Sequence, residues 1–96
     1  MSKAAFIEAL RGRTGAAMLT PHELEALYEA IVSGDTAVAI ARRRWRGVST
    51  VEAQLAKAAI RLGFAHVRTM RHALTIAYGR ALERLGVGSD AGLGGD

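Results

Sequence analysis

Apolar residues recur at steps of three and four along most of this chain, and runs of Val, Ile, Thr and Tyr that would suit strands are missing. The clearest stripe is Val51, Leu55, Ala58 or Ala59, and Leu62, with Glu52, Ala53, Ala56, Lys57 and Ile60 on the opposite side. That spacing predicts a helix with one buried and one outward face. Its start is marked by Ser49-Thr50-Val51-Glu52, which offers a hydroxyl at the N-cap and a carboxylate at N3. Gly63 suits the left-handed position that ends a helix.

A second strong start lies at Leu19-Thr20-Pro21-His22-Glu23-Leu24. Thr20 is placed as N-cap, Pro21 at the first helical position and Glu23 at N3, with Leu19 and Leu24 as a staple. The helix is expected over about 21 to 33, with Leu24, Leu27, Tyr28 and Ile31 inward and Gly34 as the stop. Thr36 caps a short Ala-rich helix whose apolar contacts are Val38, Ile40 and Ala41. Residues 3 to 11 form another short helix with Phe6, Ile7 and Leu10 on one side, either packed on the domain or free as a partner-binding arm. A glycine-containing turn comes next, from Gly12 to Gly15. Phe64 is expected as a core plug. A long last helix, about Thr69 to Leu85, carries Met70, Leu74, Ala77, Ala81 and Leu85 as a seam for a helix of this chain or of a second copy.

The expected organisation is an N-terminal helix or arm over 1–18, a helix-turn-helix domain over 19–85 and a flexible tail over 86–96. The fold class is all-α, a compact helix-turn-helix bundle of about four to five helices with a long C-terminal helix. A chain of 96 residues buries only a modest core, so association into a dimer would add stability.

Charge sharpens this picture. The net charge is +4, but from residue 42 to 71 there are eight Lys or Arg against the single acid Glu52, which is 8 − 1 = +7. The basic character is concentrated in the helix-turn-helix and the segment just after it, as a nucleic-acid partner would require. There is no cysteine, in keeping with a reducing compartment. The N-terminal apolar run is too short for a signal peptide and nothing reaches transmembrane length, so a cytoplasmic location without membrane association is expected.

The candidate site is Arg42, Arg43, Arg44 and Arg46, placed to neutralise phosphates, with Lys57 and Arg61 one turn apart on the presented helix and Thr50 beside them. Against this, consecutive arginines also suit the C-terminal end of a helix dipole. Trp45 is expected as a core or hinge residue rather than a base-stacking one. His22, His66 and His72 lack the spacing and acidic companions of a metal site or a nucleophilic triad. Glu23, Glu25 and Glu29 lie along one helix and serve capping, dipole and solubility, and the Gly-rich tail has no Walker lysine. No catalytic residue, metal or cofactor is expected.

These residues resemble the LuxR-type (GerE-like) helix-turn-helix of bacterial transcription regulators. The resemblance spans about residues 19 to 77. The family's Leu-Thr-Pro opening and Glu-rich helix fall on Leu19, Thr20, Pro21, Glu23, Glu25 and Leu27. Its Gly-x-Ser/Thr falls on Gly34 and Thr36, its Ile-Ala on Ile40 and Ala41, its Thr-Val on Thr50 and Val51, and its closing Leu-Gly on Leu62 and Gly63. Two single-residue insertions, before Gly34 and after Gly63, depart from the pattern. Arg44 replaces the Leu between the two helices, with Trp45 expected to take over its core role. The same stretch is also similar to region 4 of sigma factors.

The resemblance implies a small transcription regulator that binds double-stranded DNA, as a homodimer through the last helix. Base contacts would fall on Glu52, Ala53 and Ala56. A glutamate there accepts from a cytosine amino group, and alanines touch only a thymine methyl. The alternative is an interaction module on a scaffold that no longer reads bases, binding RNA polymerase, another regulator or a host defence complex.

Overall fold

Thr20 and Glu23 give the chain its firmest local start. The Thr20 hydroxyl accepts from the Glu23 amide at 3.2 Å, and the Glu23 carboxylate accepts from the Thr20 amide at 3.1 Å. Two N–H groups that the helix cannot satisfy internally are thus paired, and Pro21, which lacks one, fills the first position.

The helix opened by this cap, Pro21–Ile31, is the second of five α-helices in the computed structural model, which describes residues 1–79. In order they are α1 (Lys3–Leu10), α2 (Pro21–Ile31), α3 (Ala37–Arg44), α4 (Val48–Arg61) and α5 (Val67–Tyr78), with a 3-10 turn at Ala16–Met18. The fold is all-α, and no strand occurs among the described residues. α2 is the hub, packing against each of the other four α-helices.

The core draws on every helix: Phe6 and Leu10 from α1, Leu27 and Ile31 from α2, Ile40 from α3, Val51 and Leu55 from α4, Met70 and Leu74 from α5. Burying each of these large side chains stabilises by about 1.5–3 kcal/mol relative to exposure. The inward stripe of α4 is the one the spacing predicts, Val51, Leu55, Ala58, Ala59 and Leu62 all being buried. On α2 the inward arc is wider than expected: Ala26, Ala30 and Glu23 are buried as well, while Leu24 and Tyr28 are only half-buried.

The N-terminal segment packs on the domain. Phe6 is fully buried, and its ring lies 5.9 Å from those of both Tyr28 and Tyr78. Gly15 carries the turn after α1 past the end of α4 with φ of +82°, and a Cβ at that position would stand 1.7 Å from the Arg61 carbonyl oxygen. Only glycine accepts both the dihedral and the approach.

Three features differ from the sequence expectation. α4 begins at Val48 with Gly47 as its N-cap, so Ser49 lies inside the first turn and no side chain caps this helix. Half-buried Val48 packs against the core, so tertiary contact starts the helix before the Ser49 hydroxyl is reached. Val38, expected as an apolar contact of α3, is half exposed because Ile40 and Ala41 already fill that side.

The third difference is at the last helix. α5 runs Val67–Tyr78 and stops at Gly79, whose amide donates to the Thr75 carbonyl at 2.8 Å. A Cβ on Gly79 would lie 2.7 Å from the Ile31 carbonyl oxygen, so the end of α5 is pressed onto the end of α2. Met70 and Leu74, two positions of the expected dimer seam, are fully buried within this chain and cannot meet a second copy. Ala77 is half-buried; Ala81 and Leu85, with the tail over 86–96, lie outside the described residues.

Candidate nucleic-acid interface

α3 and α4 pack on one another and are joined by the turn Trp45-Arg46-Gly47. Thr36 opens α3, its hydroxyl accepting from the Ala39 amide at 3.1 Å. The left-handed residue that closes α3 is Trp45, with φ of 58° and ψ of 41°, whereas Gly47 is extended. The amide of Arg46 then reaches back to the Ala41 carbonyl at 2.9 Å. For a residue with a side chain this conformation costs about 1–2 kcal/mol.

The turn aims the Trp45 indole away from the core. It is 95% exposed, so the expected core role is not met, although Trp45 does form the left-handed turn between α3 and α4.

The arginine cluster divides into two pairs with different work. Arg44 is tied to α2: its Nε donates to Glu29 Oε2 at 2.9 Å, its Nη2 stands 2.7 Å from the same oxygen, and its Nη1 is 2.7 Å from Glu25 Oε1. Arg43 donates to Glu29 Oε1 at 2.8 Å and pairs with Asp35. These two side chains fasten α3 to α2 and are not free for phosphate, contrary to the expectation for the whole cluster. Burial pushes the Glu29 carboxyl up, but hydrogen bonds from Arg44 and Arg43 outweigh it and hold the group below its usual value. Hydrogen bonds from Arg44 and then Lys3 lower Glu25 in the same direction.

Arg42 and Arg46 are exposed, and neither side chain forms an ion pair or hydrogen bond among the described residues. Lys57, on α4, is likewise exposed and unpaired there. Arg61, expected beside it on the presented face, is tied instead to the segment that leads into α2, donating to the Met18 carbonyl at 2.5 Å and standing 3.5 Å from buried Glu23. It is a tie between α4 and the start of α2.

The outward face of α4 carries exposed Thr50, Glu52, Ala53, Lys57 and Ile60 with half-buried Ala56. An open groove of about 510 Å³ lies between this face and the start of α2, lined by Ser49, Thr50, Ala53, Gln54 and Lys57 on one side and Thr20 and His22 on the other, with the Glu23–Arg61 pair at its wall. Every described carboxylate except that of Glu52 forms an ion pair, so the outward face of α4 bears one unpaired carboxylate beside Ala53 and Ala56. Sequence reasoning found this face but not the division among the arginines. The signal for that was available in the acids of α2 at positions 25 and 29, one turn apart, and in Asp35.

Among the described residues no group of three or more His, Asp or Glu is placed to hold a metal ion, and no helix is long and apolar enough to cross a membrane. No protein-family model matches the chain, and neither does any curated protein or solved structure.

Proposed function

We propose that this protein binds double-stranded DNA through the α3–turn–α4 unit, as a small cytoplasmic transcription regulator with α4 entering the major groove. The reading rests chiefly on the outward face of α4, which is largely exposed and stands with unpaired Arg42, Arg46 and Lys57 while the other cations of α3 and α4 are spent internally. The free cations would contact phosphates and fix register. Glu52, Ala53 and Ala56 would meet base edges, the carboxylate accepting from a cytosine amino group and the methyls lying against thymine. The resemblance of the 19–77 stretch to LuxR-type domains supports the same assignment. A homodimer would have to use surfaces other than Met70 and Leu74, such as the side of α5 that bears half-exposed Ile76.

The test is anisotropy of a labelled random-sequence duplex titrated with protein at several salt concentrations. Three phosphate contacts give a slope of log K against log salt of about −2.7. Absence of binding at about 50 mM salt, where such contacts are strongest, would remove the reading.

A second reading is favoured by Ile60, a large apolar side chain 73% exposed on the same face of α4. On that reading the face docks a protein such as an RNA polymerase subunit or another regulator, and Ile60→Ser, which removes the apolar side chain without adding charge, abolishes capture of that partner while leaving duplex affinity little changed.

A further inference from the structure

Trp45 combines two features that ordinary folding does not explain. It is the chain's single tryptophan and stands 95% exposed, and it is the one non-glycine residue with positive φ among the described residues. Neither feature serves the core, since the indole touches no ring or cation partner there and the left-handed turn would form more readily with glycine. An exposed indole has an apolar body and one N–H donor, and is suited to a surface that is part apolar and part acceptor.

Its surroundings choose between surfaces. Arg42 lies one turn earlier on α3 and Arg46 is the next residue, both without an internal partner, so the indole is flanked in the chain by free cations. A phosphodiester backbone complements that set, the phosphates meeting the guanidinium groups and the deoxyribose the ring. The turn also immediately precedes the start of α4, where the backbone rims the groove if α4 enters it.

Resting on the proposal that α4 binds DNA, we infer that Trp45 clamps the sugar-phosphate backbone, its ring packed on deoxyribose and its Nε1–H donated to a phosphate oxygen. The contact is indifferent to sequence, and the strained turn is kept because it presents the indole.

Because no other tryptophan is present, emission of the wild-type protein reports Trp45 alone. Titration with an unlabelled random-sequence duplex should shift that emission in parallel with the anisotropy of a labelled one. Trp45→Gly should melt at a higher temperature than wild type yet bind the duplex about tenfold more weakly, and Trp45→Phe, which keeps a ring and loses the donor, should fall between. Duplex bound without an emission change, or Trp45→Gly binding undiminished, overturns the clamp while leaving DNA binding intact. An emission change that tracks protein concentration without DNA also overturns it, assigning the indole to a second copy. Failure of the wild type to bind any duplex at low salt defeats the underlying reading instead.

Discussion

Arg44 grips Glu29 with two of its nitrogens, Nε at 2.9 Å and Nη2 at 2.7 Å, and so fastens the end of α3 to the last turn of α2. Both side chains are about four-fifths covered, at 21% and 17% exposure. A charge left alone there loses its partner without regaining full hydration. Arg44→Ala and Glu29→Ala should therefore each destabilise by about 1–2 kcal/mol, below the cost of breaking a fully buried pair. Urea unfolding of the two single variants and the double variant measures the coupling, and additive losses would show that the pair contributes nothing.

Acid should loosen the same junction. The folded-state values of Glu25 and Glu29 both lie below the usual 4.5. A group depressed in the folded state adds stability that is present above its unfolded value and lost as pH falls through the folded one. Melting temperature should thus hold steady above about pH 4.5 on this account and fall below it. Glu29→Gln should flatten part of that fall, and thermal melts from pH 6 to pH 3 would register it.

Gly15 makes the N-terminal turn depend on α4. Gly15→Ala places a Cβ 1.7 Å from the Arg61 carbonyl oxygen and also meets a left-handed φ of +82°. The backbone must move, and the expected loss is about 3 kcal/mol or more, far above an ordinary surface change. Gly12→Ala, whose nearest contact would be an ordinary 3.9 Å, is the control. Equal melting temperatures for the two variants would contradict the packing of the 1–18 segment.

The arginine cluster should separate into two phenotypes. Arg42→Ala with Arg46→Ala is expected to leave the melting temperature near wild type, weaken duplex binding and reduce the salt slope by about 1.8. Arg43→Ala with Arg44→Ala should lower the melting temperature first. If both pairs weaken DNA binding equally at unchanged stability, the division between free and spent arginines fails.

Substitutions at Glu52 and Ala53 test base reading apart from backbone contact. Glu52→Gln should alter preference among duplex sequences, with random-duplex affinity rising modestly because a charge facing phosphates is gone. Selection of bound sequences from a random pool compares the two proteins. Identical preferences would remove Glu52 from the reading surface.

The sequence by itself determined the elements whose cause is local. Thr20, Pro21 and Glu23 fix the start of α2, Thr36 that of α3, and Gly34 and Gly63 the left-handed stops with φ of 74° and 83°. Periodicity likewise determined the buried stripe of α4, because a helix repeats every 3.6 residues whatever it packs against. Tertiary structure decided what depends on the distance between elements. It started α4 at Val48 instead of behind Ser49, and it sent Met70 and Leu74 into the core instead of a dimer seam. It divided RRRWR into arginines paired with α2, arginines left free, and a tryptophan turned outward. Charge is legible in a sequence, but whether a charge is spent depends on which acids the fold brings within reach. For Arg43 and Arg44 those acids lie on α2 and at Asp35, and only the packing of α3 against α2 places them there.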